Sequence, residues 1–192
     1  FDETIFGLSM YNMSEKLNSY WKIALPYNDE LWISDNNWIT VFESATCGIN
    51  DIRYKRGFGF IHGANQNMCR KYLGESVFYD ENIPLIRLVE MYYILAESVS
   101  LEESVQYINK VRNTRGISRT YDYVYNSSFT EAKREEALMK EYQKEFFAEG
   151  QFFYFLKRYN CETFYRCPVN KMVYYVFPIP DDEIEFGSVS GN

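Results

Sequence analysis

Three glutamates have the type and spacing to form a chemical site. Glu141, Glu145 and Glu149 stand four residues apart within Phe129–Arg158, a segment that reads as one unbroken helix, so their carboxylates share a stripe. Paired carboxylates hydrolyse glycosides when they stand about 5–10 Å apart with a sugar between them. Side by side on one convex helix face, they enclose nothing. The better reading is structural. Arg87 and Glu90 on one helix, Arg112 and Arg115 on a second, and Glu145 and Glu149 on the third are expected to form a partly buried ion network that sets helix register. No catalytic residue is assigned. His62 is the single histidine, which leaves no Ser/His/Asp or Cys/His set beyond a single candidate. The four cysteines, Cys47, Cys69, Cys161 and Cys167, contain no CxxC pair, and no metal or cofactor is expected. Cys161 and Cys167 can bridge across a short loop in an oxidising compartment; buried thiols are the equal alternative.

Binding chemistry is easier to place. Aromatic residues make up 19% of the 192-residue chain, including 18 Tyr and 15 Phe, and rings beyond the needs of a core serve interfaces or ligand platforms. All three tryptophans fall in the first 40 residues, each flanked by polar turn residues. A flat ring stacks on the apolar CH face of a sugar, and Asn28, Asp29, Asp35, Asn36 and Asn37 can bond its hydroxyls. The expected ligand residues are Trp32 and Trp38 first, then Trp21 and Tyr27. The alternative is that these rings cover the edge of the core. A net charge of −7 argues against nucleic acid, which demands clustered Lys and Arg. There is no run of about 18 apolar residues to span a membrane and no signal peptide. The chain begins at Phe1 in ordinary sequence and reads as a fragment or processed product.

The elements that position these residues are mainly helical. Asn12–Glu15 can open a short helix to about Tyr20, and Tyr27–Glu30 and Ser34–Asn37 read as loops. Asp51–Phe60 alternates and carries glycines, as an extended segment or hairpin would, and Lys71–Asp80 reads as extended. Pro84 suits a first helical turn, with Leu85, Leu88, Val89, Tyr92, Leu95 and Ala96 as the buried face. Ser100 and Glu103 form a capping box before a second helix, whose face is Leu101, Val105, Ile108 and Val111 and which Gly116 stops. The short connection makes the pair an antiparallel hairpin, the size of one tetratricopeptide unit, with no second copy of the repeat signature evident. Ile117–Phe129 is a Tyr/Asn/Ser-rich loop, and Thr130 caps the long helix. Lys171–Pro180 reads as an apolar extended run and Asp181–Glu185 as a solvated acidic tail.

Four segments together carry a resemblance. IPLIRLVEMYYILAE (83–97), INKVRNTRG (108–116), EYQKEFFAEGQFFYFLKR (141–158) and FPIPDDE (177–183) resemble, in order and spacing, the C-terminal half of the SusD/RagB family of Bacteroidetes. Residues 50–53 resemble the family loosely. The resemblance implies a mainly α fold of tetratricopeptide-like helical hairpins plus a long helix, with irregular loops and short extended segments. The whole chain, 1–192, is then one SusD-like domain fragment: loop-rich and aromatic over 1–82, a helical scaffold over 83–158, irregular over 159–192. It further implies a non-catalytic lipoprotein on the outward face of the outer membrane. Such a protein binds a glycan or other nutrient and caps a SusC-like TonB-dependent transporter, with the membrane reached only through a lipid anchor absent from this fragment. The alternative within the same setting is a protein–protein interaction module that caps a transporter and has no small ligand of its own. Where the family usually carries an arginine and then an aspartate after Glu149-Gly150, this chain has Phe152 and Phe155, which marks a divergent subfamily.

Overall fold

A helical hairpin forms the centre of the structure, a computed structural model that describes residues 3–12, 32–56, 58–60, 66–69, 82–161, 175–176 and 179–180. Among these residues there are five short strands: β1 (Thr4–Ser9), β2 (Trp32–Ser34), β3 (Phe58–Phe60), β4 (Gln66–Cys69) and β5 (Asn82–Arg87). They accompany six helices: α1 (Asp35–Phe42), α2 (Ile52–Arg56), α3 (Leu88–Ser98), α4 (Leu101–Thr114), α5 (Glu131–Glu145) and α6 (Gln151–Arg158). The fold is mainly helical. The chain divides into two compact units, Phe1–Phe152 and Phe153–Asn192, with the boundary inside α6.

The α3–α4 hairpin forms where the sequence places it. The Glu103 amide donates to Ser100 Oγ at 3.3 Å, and the Ser100 hydroxyl donates to the Glu103 carboxylate at 2.9 Å, so side chains satisfy the helix start. At the other end Gly116 has φ +92°, and a Cβ there would stand 2.6 Å from the Asn50 carbonyl. Glycine is needed on both counts. Ile52 donates its amide to Arg115 O at 2.8 Å, so this close approach joins the 50–52 segment to the end of α4. Thr130 caps α5 by accepting from the Lys133 amide at 3.3 Å.

Several elements differ from the sequence expectation. Pro84 lies in β5, opposite Gly7 of β1, and α3 starts four residues later at Leu88. In a two-stranded sheet each strand has one open edge, where a residue without an N–H is tolerated. The later start rotates the buried face of α3: Val89, Tyr93 and Ala96 are buried, while Leu85, Leu88 and Leu95 are about 40% exposed. Second, Asp51–Phe60 is not one extended segment. Ile52–Arg56 is helical, and only Phe58–Phe60 is a strand, paired antiparallel to β4 with β2 on the far side. Likewise Ser34–Asn37 is no loop: Ser34 ends β2 and Asp35 begins α1.

Third, the long helix is broken. α5 ends at Glu145, a turn covers Phe146–Gly150, and α6 begins at Gln151. The two adjacent rings at the break pack in different places. Phe146 is 1% exposed and lies against Tyr93 and Tyr142, with ring centroids 6.2 and 5.2 Å away. Phe147 packs on the cluster of Trp38, Val41 and Phe42. A continuous helix turns consecutive side chains about 100° apart and cannot serve both sites without this turn. Arg87 Nη2 takes up the Glu145 carbonyl at 3.0 Å, replacing an intrahelical bond. The readings for residues 12–20, Lys71–Asp80, Lys171–Pro180 and the acidic tail lie, apart from Asn12, Tyr11 and a few isolated positions, outside the described residues.

In the second unit Phe155 is buried, with the Tyr159 ring centroid 4.7 Å away and the Arg158 guanidinium over both rings. Tyr175 donates its hydroxyl to Cys161 O at 3.0 Å.

The turn at 146–150 places Ala148 at φ 62°, a left-handed conformation that disfavours a Cβ by about 1 kcal/mol. Ala148 is exposed. Ala148→Gly is therefore expected to stabilise the chain by about 1 kcal/mol and raise Tm by about 2–4 °C, read by calorimetry. An unchanged or lower Tm would mean the helix is continuous.

Candidate functional site

The acid stripe of α5 lies against arginines from three other elements, α2, α4 and β5. Arg53 on α2 is the hub. Its amide, Nε and Nη2 all donate to the Asp51 carboxylate, the last at 2.6 Å; Nη2 also donates to Glu141 at 3.0 Å and Nη1 to Glu145 at 3.1 Å. Arg112 on α4 donates to the other oxygen of Glu141 at 3.0 Å, and Lys144 to that same oxygen at 3.1 Å. Arg115 at the end of α4 bridges Glu145, at 2.9 and 3.0 Å, to Glu3, at 2.6 and 2.8 Å. Arg87 at the end of β5 donates to Glu145 at 2.8 Å and to Glu149 at 3.4 Å. Lys144 and Lys140 hold Glu43, beyond the end of α1, at 2.6 and 3.2 Å. Six carboxylates and six cations thus tie α1, α2, α3–α4 and the start of β1 to α5.

Aromatic rings close the cluster. The Arg87 guanidinium lies 4.9 Å from the Phe146 ring centroid and that of Arg112 lies 4.7 Å from Tyr123. Asp51, Glu141 and Lys144 are fully buried, and Arg53, Arg112 and Glu145 nearly so. The tight loop before Asp51 depends on Gly48, where a Cβ would stand 1.7 Å from the Phe42 carbonyl oxygen.

The electrostatics follow from this arrangement. Burial pushes the Glu141 carboxyl up, but Lys144, Arg53 and Arg112 outweigh it and hold the group well below the usual carboxylate range. Burial acts the same way on Glu145, and Arg53, Arg115 and Arg87 bring it down to about 2. Tyr93 is fully buried beside these acids; burial first, then Glu141, raises its hydroxyl well above the ordinary value. Its oxygen makes no hydrogen bond among the described residues. Burial, tempered by Arg112, pushes Tyr123 up to about 12.

These values decide what the cluster can do. A general acid at neutral pH needs a raised carboxyl pKa, and a general base needs access to a proton on a substrate. Glu141 and Glu145 have lowered values, are saturated by guanidinium and ammonium donors, and are closed to solvent. The arrangement supplies positioning rather than proton transfer. Among the described residues no three His, Cys, Asp or Glu side chains group as metal ligands do.

Of the predicted network residues, the structure brings Arg87, Arg112, Arg115, Glu145 and Glu149 together. Glu90 sits half-buried in the first turn of α3. Sequence reasoning missed Asp51, Arg53, Lys144 and Glu43. Their available signals were the Asp-x-Arg spacing in a stretch read as extended, where residues 50–53 resemble the family, and Lys144 three residues after Glu141. Of the predicted ligand residues, Trp38 is not on a loop. It lies on α1, is 7% exposed, and stacks on Tyr54 with centroids 4.3 Å apart. The apolar neighbours Val41 and Phe42 on the same helix pull it inward, so this ring forms core. Trp32 lies on β2 opposite Met68, with its side chain outside the described residues, as are Trp21 and Tyr27. Asp35 accepts from the Asn67 side-chain amide at 2.6 Å. Cys47 is half-buried and Cys161 buried; Cys167 and His62 lie outside the described residues.

The SusD family model matches residues 71–174, a span that holds the α3–α4 hairpin, α5 and α6. No curated protein and no solved structure matches the chain.

Two outcomes are expected of the cluster. Arg53→Met leaves Asp51, Glu141 and Glu145 short of a buried partner and is expected to cost about 3–5 kcal/mol in urea denaturation. A loss under about 1 kcal/mol would show the hub to be dispensable. The second concerns pH. Because the folded pKa of Glu145 is depressed, its contribution is complete above the unfolded value of about 4.3 and is lost as pH falls toward about 2. Urea midpoints measured across that window should fall with pH, and Glu145→Gln should flatten the fall. An equal slope in the variant would contradict the assignment.

Proposed function

The chain belongs to the SusD family, and from that membership we propose that it is a non-catalytic binding protein that captures a glycan at the outward face of the outer membrane and delivers it to a SusC-like TonB-dependent transporter. SusD family proteins are associated with nutrient binding in outer-membrane uptake. The family match over residues 71–174 carries the reading. The chemistry of α5 supports it: the acids with the best catalytic spacing are buried and neutralised by Arg53, Arg112, Arg115 and Lys144. No described helix is long and apolar enough to cross a membrane.

In this reading the ligand meets the aromatic residues of the 21–32 segment. Trp32, Trp21 and Tyr27 are the residues proposed to supply stacking faces, while Trp38, stacked on Tyr54, belongs to the core. One observation favours a second reading, a protein-binding module that caps a transporter without a small ligand. The β1–β5 sheet exposes Ile5, Phe6 and Leu8 at 51–57%, with Leu85 and Ile86 near 40%. Exposed apolar side chains in a row of this kind mark protein contact.

A glycan array followed by calorimetric titration separates the two. The glycan reading predicts binding on the array, with Trp32→Ala and Trp21→Ala each weakening it by roughly tenfold, the worth of about one stacked ring. A blank array with transporter capture retained supports the second reading. Binding that survives both substitutions unchanged would move the ligand away from this segment.

A further inference from the structure

We propose that the loop joining α4 to α5 carries a subsite for an uncharged, polyhydroxylated ring, such as one pyranose unit. The identity of the whole ligand as a glycan rests on the reading above; the chemical class of this subsite is argued from its own residues. An open cleft of about 440 Å³ lies here, lined by Tyr125, Asn126, Ser127 and Phe129 with Leu101 and Glu131 at its sides. That volume is within the range of small-molecule sites. Tyr125 is 49% exposed and offers both a ring face and a hydroxyl; neighbouring Tyr121 is equally exposed and Val124 is 67% exposed.

The polar groups of the cleft have spare bonding capacity. Asn126 Oδ1 accepts from the Ser128 amide at 2.8 Å and from its hydroxyl at 2.6 Å, which orients the carboxamide and leaves its NH₂ without a partner among the described residues. The Tyr125 and Ser127 hydroxyls also make no hydrogen bond there. A ring face beside an amide donor and two hydroxyls matches a sugar, which presents an apolar CH face ringed by donors and acceptors. Other classes fit worse. Among the described residues no cation lines the cleft, so an anion gains nothing. Glu131 is its one charge and is already paired with Arg134, so a cation gains little.

The loop is also held ready. Asn109 on α4 and Tyr123 exchange two hydrogen bonds, the Asn109 amide donating to Tyr123 O at 2.8 Å and the Tyr123 amide to Asn109 Oδ1 at 2.9 Å. Asn113 donates to the Asp122 carboxylate at 2.8 Å and Arg112 to Tyr121 O at 3.0 Å. Phe129 is buried at 5% exposure and its ring packs 6.0 Å from that of Tyr123. A loop fixed this way loses little freedom on binding, and a weak ligand benefits most from that. Arg112 is shared with the buried cluster, so the scaffold and the cleft are physically joined.

The test is amide NMR of the 192-residue chain titrated with glucose, galactose, mannose, xylose and arabinose, each to high millimolar concentration. The inference predicts concentration-dependent shifts at residues 125–131, weakened roughly tenfold in Tyr125→Ala, with the fold unchanged because this ring is exposed. Shifts confined to residues 21–38 would overturn this subsite and leave the proposed function standing. Shifts at 125–131 with none at 21–38 would support the subsite and remove the Trp-based site. No shift at 125–131 with any of the five sugars overturns the inference.

Discussion

One buried guanidinium holds this fold together. Arg53 reaches Asp51, Glu141 and Glu145 at once, using every side-chain nitrogen it has. Taking a charge of this kind out of water costs several kcal/mol, and the arrangement repays that because each side-chain nitrogen has an acceptor, Glu141 has further cations in Arg112 and Lys144, and Glu145 has them in Arg115 and Arg87. The result is geometric: α5 has one register against α4 that satisfies all of these bonds. Sliding it by a turn would leave carboxylates and guanidinium groups buried without partners. The Phe146 ring, covered by Arg87 and packed on Tyr93, then fixes where α5 must end.

Much of the scaffold is legible in the sequence because it is written in local terms. Ser100 with Glu103, Gly116 and Thr130 mark helix ends by backbone chemistry that needs no tertiary knowledge. The buried stripe of α4 follows from its spacing alone. What sequence reasoning misplaced depends on distant partners. Pro84 is compatible with a helix start and with a strand; the choice is made by β1, almost eighty residues away. The break at 146–150 comes from two adjacent phenylalanines with separate packing sites, and nothing in their spacing announces that. Trp38 has polar neighbours in sequence yet is buried, because α1 presents it with Val41 and Phe42. Arg53 was the least legible residue of all. It lies in a stretch without a clear pattern and before the region matched by the family model, yet it closes on acids about ninety residues later in the chain.

The same division of labour bears on function. The charges with the most reactive spacing serve register, and the cations around Glu141 and Glu145 hold those two carboxyls below the usual range, ionised at neutral pH. The loop that the scaffold holds between α4 and α5 carries the exposed rings of Tyr121 and Tyr125 and the side-chain amide of Asn126, the groups on which the proposed binding of a neutral ligand rests. Arg112 is where the two roles touch, since it binds Glu141 on one side and the carbonyl and ring of the Tyr121–Tyr123 loop on the other.

A double-mutant cycle between Arg53 and Glu141 tests the central claim most directly. Urea denaturation of Arg53→Met, Glu141→Gln and the double variant should show strong coupling. The double variant is expected to be more stable than the sum of the single losses predicts by about 2–3 kcal/mol, because removing both charges leaves less buried charge unmatched. Single losses that simply add would show that Arg53 does not organise α5, and the account of the fold built on it would be wrong.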